Sequence, residues 1–298
     1  MLAPGVLLCF EDERPLAHKI AQAAGLSLDL VACHVFPDGE IKLSLPPSLP
    51  PSVVVLRSLN QPNTKLLELL LAARTARQLG AQHLTLVAPY LAYMRQDVAF
   101  HPGEAISQKI IGQHLADLFD AVITIDPHLH RVASLQEAVP ARQALALSAA
   151  PLLSEFAFRQ CPDILLVGPD EESEQWITEA SRPHGLDHAV CRKIRHGDRQ
   201  VDIALPAVDV TGRAVVLLDD IASSGHTLAQ AARLLRQAGA QSVDVAVTHA
   251  LFSGDALQLI LDAGVGHVWS TDSVVHSSNA VSISGLVANA LKPLLQRH

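Results

Sequence analysis

The sequence predicts an α/β protein of two tandem domains, each a mainly parallel sheet flanked by helices. Three observations carry that expectation. Apolar, β-rich runs alternate with helical patterns along the chain, which is the sequence form of βαβ units. The alternation comes as two similar series, and in each a helix ends at Leu79-Gly80-Ala81 or Ala238-Gly239-Ala240 before a β-rich run. The 298 residues are 49% hydrophobic and only 17% charged. That is material for buried parallel strands and for two cores of about 150 residues each.

The first series opens with an unbroken apolar run, Val6 to Phe10, read as a strand. Pro15 to Gly25 follows as a helix, with a proline at its start, apolar residues at helical spacing and a glycine stop. Ser52 to Leu56 is a strand, Lys65 to Leu79 a helix ended by Gly80, and His83 to Ala88 a strand. Ser107 to Leu118 is helical, and Ala121 to Ile125 is a strand leading into Asp126. In the second series Leu152 to Gln160 is a helix, Ile164 to Val167 a strand and Ser173 to Ser181 a helix. Ala214 to Leu218 is a strand, Leu228 to Ala238 a helix, Ser242 to Thr248 a strand and Gly254 to Asp262 a helix. Alanine and serine dominate Pro140 to Ala150 with little charge, so the domains are expected at residues 1–145 and 146–298.

Bulk properties exclude several function classes. The net charge is −8 and no basic run occurs, which argues against a nucleic-acid partner. Anionic substrates must then be met by local groups and metal. No apolar run reaches the about 18 residues a membrane span needs, and the N-terminus lacks the features of a secretion signal. Cys9, Cys33, Cys161 and Cys191 are scattered without C-x-x-C spacing, so they are expected as small apolar core residues of a reducing cytoplasm.

The most specific stretch runs from Val215 to Leu228. An apolar strand leads into Asp219-Asp220, then Ile221-Ala222, then Ser223-Ser224-Gly225-His226-Thr227 and a helix. Adjacent carboxylates accept hydrogen bonds from two vicinal hydroxyls. A loop of backbone N–H groups and hydroxyls at a helix N-terminus suits a phosphate dianion. Vicinal diol plus phosphate describes ribose 5-phosphate. A helix N-cap needs one acid, not two followed by a hydroxyl loop.

This segment resembles the ribose-phosphate loop of phosphoribosyltransferases. Five further motifs narrow the resemblance to the ribose-phosphate diphosphokinase (PRPP synthetase) family. They are Phe36-Pro37-Asp38-Gly39-Glu40, Pro89 to Asp97, Glu104-Ala105-Ile106-Ser107, Asp126-Pro127-His128 and Thr248-His249, in the family's order. The resemblance implies two phosphoribosyltransferase-type (type I) domains related by a pseudo-twofold axis. It implies transfer of the diphosphoryl group of ATP to the 1-hydroxyl of ribose 5-phosphate, with Mg²⁺ as cofactor. It also implies a homo-oligomer, because Phe36, Asp38 and Glu40 match a loop that reaches the adenine from a neighbouring subunit.

The same resemblance distributes the remaining roles. Arg95, Gln96 and Asp97 are expected on ATP, the arginine at the phosphates. His128 and Asp170 are expected to help place the metal. Asp219 and Asp220 would hold the ribose hydroxyls, and Ser223, Ser224, Gly225, His226 and Thr227 the 5-phosphate. Lys193 and Arg195 would stabilise the transferring phosphates from a loop hinged at Gly197, the chemistry being mostly positioning plus cationic stabilisation. Thr248-His249 is expected to be structural. The chain departs from the family pattern at Pro127, Glu171-Glu172, Ser223 and His226. The alternatives are a non-catalytic or regulatory relative, or a paralogue with another donor or sugar.

Overall fold

The computed structural model describes residues 5–129, 131–196 and 200–296, with the backbone alone at 193–196 and 200–202. The chain divides into two units, Met1–Leu147 with Ser282–His298, and Ser148–Val281.

In the first unit the elements are β1 (Val6–Cys9), α1 (Arg14–Ala24), β2 (Ser27–Leu30), β3 (Ala32–Val35), β4 (Ile41–Ser44), β5 (Ser52–Leu56) and α2 (Pro62–Gln78). They continue as β6 (His83–Ala88), α3 (Ser107–Leu118), β7 (Ala121–Ile125), α4 (Leu135–Ala138) and β8 (Gln143–Leu147). Six strands form one parallel sheet in the order β2-β1-β5-β6-β7-β8. The apolar runs sit at its centre: β1 is buried throughout and Val53 to Leu56 of β5 are 0% exposed. Strands buried on both faces read as continuous hydrophobic runs, which is why these two were visible in the sequence.

In the second unit the elements are α5 (Ala150–Gln160), β9 (Ile164–Gly168), α6 (Glu174–Ser181), β10 (His188–Val190), β11 (Arg192–His196) and β12 (Gln200–Ala204). They continue as β13 (Ala214–Ala222), α7 (His226–Gln237), β14 (Ser242–Ala250), α8 (Ala256–Asp262), β15 (Val268–Thr271) and β16 (Asn279–Val281). Again six strands form one parallel sheet, in the order β10-β9-β13-β14-β15-β16. Numbered within its own unit, each sheet has the same strand sequence. Each also carries an antiparallel hairpin after its second strand, β3–β4 in one and β11–β12 in the other. The two series are therefore copies of one architecture.

The last helix, α9 (Ser284–Leu295), packs on α1 and belongs to the first unit. A cut at 145/146 assigns it to the second. Val287, Ala288, Leu291 and Leu294 form its buried apolar face, and α1, which buries Leu16, Ala17 and Ile20, is its neighbour. Cys9 and Cys191 are core residues as expected, but Cys33 stands exposed on β3. It lies on a hairpin strand that has no buried residue. No helix among the described residues is long and apolar enough to cross a membrane.

Candidate functional site

Open parallel sheets hold ligands beyond the carboxyl ends of their strands. The described non-glycine residues with positive φ all lie there: Gln61 (φ 54°) after β5, Tyr93 (66°) after β6, Asp126 (36°) after β7 and Phe252 (30°) after β14. Side chains resist these angles, and such strain persists only where the surroundings over-determine the backbone.

In the second unit β13 does not stop at Leu218, as the apolar pattern predicts. It runs to Ala222, because β14 pairs with it to the end: Asp219 lies opposite Val247, Ile221 opposite His249 and Ala222 opposite Ala250. The acidic pair is thus held on a strand, not in a loop. Asp219 Oδ1 accepts the N–H of Asp220 at 3.0 Å. Burial, the Asp220 charge and the Asp170 charge together push the Asp219 carboxyl well above the usual carboxylate range. Three acids therefore act on one another at the carboxyl ends of β9 and β13.

The hydroxyl loop follows. Gly225 is the N-cap of α7 with φ 74°, and a Cβ there would lie 2.9 Å from Ala256 O. Only glycine fits both the angle and the space. The helix starts at His226, two residues before the predicted start, so its first-turn N–H groups border the loop. The loop is braced from the neighbouring strand end, where Leu251 N and Phe252 N donate to Ala222 O and Ser253 N donates to Ser223 O at 2.9 Å. His226 is exposed, with Nδ1 3.2 Å from Ser224 O. Thr248-His249 are buried, and the Thr248 carbonyl accepts the hydroxyls of Thr271 and Ser273 at 2.7 and 2.8 Å, which agrees with a structural role. Sequence reasoning missed the end of β15 and the turn after it, where Thr271 and Ser273 supply those hydroxyls; the only mark is a run of small polar residues after an apolar segment.

Asp170, two residues beyond β9, caps the turn Glu171–Ser173 by accepting from Glu172 N at 3.1 Å. Glu171 and Glu172 are exposed. Gly168 just before leaves room for Ser173, whose Oγ a Cβ would approach to 2.0 Å. Lys193 and Arg195 lie on β11, paired with Ile203 and Val201 of β12, in a hairpin as their pattern suggests. Their side chains, His130 and Gly197 lie outside the described residues.

In the first unit, Phe36 to Glu40 forms the tip of the β3–β4 hairpin, closed by Phe36 N on Glu40 O at 2.8 Å and Gly39 N on Phe36 O at 2.9 Å. The tip is exposed, Val35 and Phe36 included. Arg95 is exposed and Gln96 half-buried after the Tyr93 turn. Asp97 is buried, and its Oδ1 accepts from Arg131 Nη1 at 2.6 Å. That ion pair engages the carboxylate expected nearer the nucleoside. His128 is half-buried two residues beyond strained Asp126. The structure thus groups Arg95, Gln96, Asp97 and His128 in one unit, and Asp170, Lys193, Arg195 and residues 219–227 in the other.

The position equivalent to the acidic pair, at the end of the third sheet strand of the first unit, has Arg57-Ser58 instead. Arg57 is buried over the Phe10 ring, 4.1 Å from its centroid. It donates from Nε to Glu68 Oε2 at 2.8 Å and from Nη1 to Asp12 Oδ1 at 2.7 Å, with Glu13 Oε2 3.5 Å away. The crevice that holds acids in one copy is filled by the protein's own ion cluster in the other.

Two family models match the chain: the N-terminal domain of ribose phosphate pyrophosphokinase over residues 6–118, and the phosphoribosyl synthetase-associated domain over 170–296. The ribose-phosphate pyrophosphokinase of Methanopyrus kandleri is 33% identical over 293 residues, covering 97% of this chain and 99% of that protein. The chain belongs to the ribose-phosphate pyrophosphokinase family. Ribose-phosphate pyrophosphokinase 1 of Archaeoglobus fulgidus is 34% identical over 280 residues, 93% of this chain and 96% of its own. The fold is also that of the phosphoribosylpyrophosphate synthetase of Mycobacterium smegmatis, with a TM-score of 0.84 over 99% of this chain and 100% of that one, at 23% identity. Membership gives the two-copy architecture its meaning: a single copy carries the acidic pair and hydroxyl loop.

Among the described residues no three His, Cys, Asp or Glu side chains form a metal cage by themselves. The raised Asp219 carboxyl owes most to burial and then to the neighbouring Asp220 and Asp170 charges.

Proposed function

We propose that this chain is a ribose-phosphate diphosphokinase, transferring the β,γ-diphosphoryl group of ATP to the 1-hydroxyl of ribose 5-phosphate. The observation that carries the reading is the acidic pair on β13 running into the Gly225 loop and the N-terminus of α7. Asp219 and Asp220 accept the two ring hydroxyls, and residues 223–227 receive the 5-phosphate. The sugar's 1-hydroxyl oxygen forms a bond to the β-phosphorus and gives up its proton to water, the bond from that phosphorus to the oxygen bridging it to the α-phosphorus breaks, and AMP leaves. Lys193 and Arg195 meet the charge that builds on the phosphate oxygens, and Arg95 holds the polyphosphate while Gln96 lies nearer the nucleoside.

Mg²⁺ is the cofactor in this reading, with His128 and Asp170 helping to hold it, and it supplies charge neutralisation on the phosphates. The exposed tip Phe36, Asp38, Glu40 serves the nucleotide of a neighbouring copy, so the working form is a homo-oligomer. The protein acts in the cytoplasm, where ATP and sugar phosphates are found. The chain's division is proposed as an ATP-handling N-terminal half and a sugar-phosphate-handling C-terminal half.

The test is AMP release from the purified protein given Mg²⁺-ATP and ribose 5-phosphate, with the sugar product followed by ³¹P NMR. Sugar-dependent AMP and a diphosphate on C1 are expected. Measurable ligand binding with no turnover overturns the enzyme reading in favour of a non-catalytic relative, and turnover with another donor or sugar replaces the substrates.

A further inference from the structure

The turn that carries Arg95 is gripped from behind by one residue of α3. Gln108 is 0% exposed in the first turn of that helix. Its backbone N–H donates to Gln96 O at 3.1 Å, and its side-chain Nε2 donates to Met94 O at 3.0 Å. One residue thereby holds the carbonyls on both sides of Arg95, whose own side chain is exposed. The amide orientation follows from chemistry, since only the amino group has protons to offer a carbonyl. Gln108 Oε1 is buried and makes no hydrogen bond among the described residues, so the amino group is what the turn uses.

The other flank of the turn is tied to a second candidate segment. The Asp97 carboxylate, nearly all buried, pairs with Arg131 Nη1 at 2.6 Å. Arg131 stands three residues after His128. The ion pair therefore joins the turn after β6 to the segment after β7. Both segments start from strained backbone, Tyr93 at φ 66° and Asp126 at φ 36°. Neither Gln108 nor Arg131 belongs to a motif that carries the chemistry.

We propose that Gln108 and Arg131 are positioning residues that lock the Arg95 turn and the His128 segment into one frame for the polyphosphate of ATP. The inference rests on the assignment of Arg95 to ATP made above. An exposed arginine on a free turn must be ordered on binding, whereas a turn held at both neighbouring carbonyls is already ordered. Asp97 acts in this frame as the buried anchor of Arg131.

The experiment uses the full chain with Mg²⁺, steady-state kinetics in ATP, and calorimetric binding of ribose 5-phosphate. Gln108→Met keeps the volume and removes the donor; it is expected to raise the KM for ATP about 10-fold, the scale of a buried acceptor left unsatisfied. Gln108→Glu, which sets an acceptor against Met94 O, is expected to raise it further. Arg131→Met is expected to raise it about 5-fold or more by leaving the Asp97 charge unpaired. All three are expected to bind ribose 5-phosphate like the parent, which separates positioning from general damage. In an Arg95→Ala background, Gln108→Met is expected to add nothing to the KM for ATP.

If Arg95→Ala raises the KM for ATP and neither Gln108→Met nor Arg131→Met does, the positioning proposal is wrong. It is wrong also if Gln108→Met acts equally with and without Arg95. If Arg95→Ala itself leaves ATP kinetics unchanged, the assignment beneath the proposal falls, and the proposal with it. Should Gln108→Met fail to fold, as judged by melting and lost sugar binding, Arg131→Met decides: a parental KM for ATP overturns the frame.

Discussion

Replacing Gly225 by alanine perturbs the proposed phosphate loop through one added methyl group. Gly225 has φ 74°, and the new Cβ would stand 2.9 Å from Ala256 O, 3.2 Å from Ile260 Cδ1 and 3.3 Å from Ala256 Cβ. The left-handed backbone costs a non-glycine residue about 1–2 kcal/mol. The overlap is with a backbone oxygen at the start of α8, which a rotamer change cannot relieve, and such overpacking costs about 1–3 kcal/mol. The sum is roughly 2–5 kcal/mol, relieved either by moving the loop or by moving α8. The loop is the softer of the two, because Ala256 and Ile260 are both 0% exposed in the core. A displaced loop no longer aims its N–H groups at the phosphate, so ribose 5-phosphate affinity is expected to fall by about 30-fold or more, equivalent to about 2 kcal/mol. Calorimetry with ribose 5-phosphate reads the affinity, and thermal melting reads the share absorbed as stability. Gly185→Ala is the control: φ is 59° and nothing lies within 4 Å of its Cβ, so it carries the backbone cost without the overlap and sits outside the loop. Parental sugar affinity and melting in Gly225→Ala, or an equal loss of affinity in Gly185→Ala, refutes the reasoning.

Three further outcomes are expected. Lys193→Ala should lower kcat by about 100-fold, the scale of one preorganised transition-state donor, and a normal rate leaves the β11–β12 hairpin a structural element. Gly112→Ala would set a Cβ 1.8 Å from Ala138 O, forcing α3 off α4; a loss of about 3 kcal/mol in chemical denaturation is expected, and parental stability contradicts the close approach. Burial raises the Glu13 carboxyl from 4.5 to about 7, ahead of the opposing Arg57 charge and Ser58 N–H. The folded state then keeps a proton that the unfolded state releases. Stability is expected to decline as pH rises from about 4.5 to about 7, by about 3 kcal/mol in all. Glu13→Gln, which keeps an acceptor for Ser58 N, should flatten that slope; an unchanged slope assigns the pH dependence elsewhere.

The doubly repeated α/β pattern was legible in the sequence because the central strands are buried on both faces, and burial leaves an uninterrupted apolar run such as Val53 to Leu56. The hydroxyl loop and acidic pair were legible for a different reason: their residues, 219–227, are adjacent in the chain. The edge strands β2, β10 and β16, and β8, are short or half-exposed and left no such run. The identical strand order of the two sheets emerged only from their pairing. Contacts between distant parts of the chain were likewise the tertiary structure's to decide. It carries β13 through Asp219 and Asp220 because β14 pairs alongside, returns α9 to α1, and draws Asp97 onto Arg131. It also fills the first copy's crevice with Arg57, Glu68, Asp12 and Glu13, whereas the second carries Asp219 and Asp220 at the equivalent strand positions. A motif states what a chain segment can bind. Whether each charge meets a substrate or another charge of the same molecule depends on neighbours that sequence order does not supply.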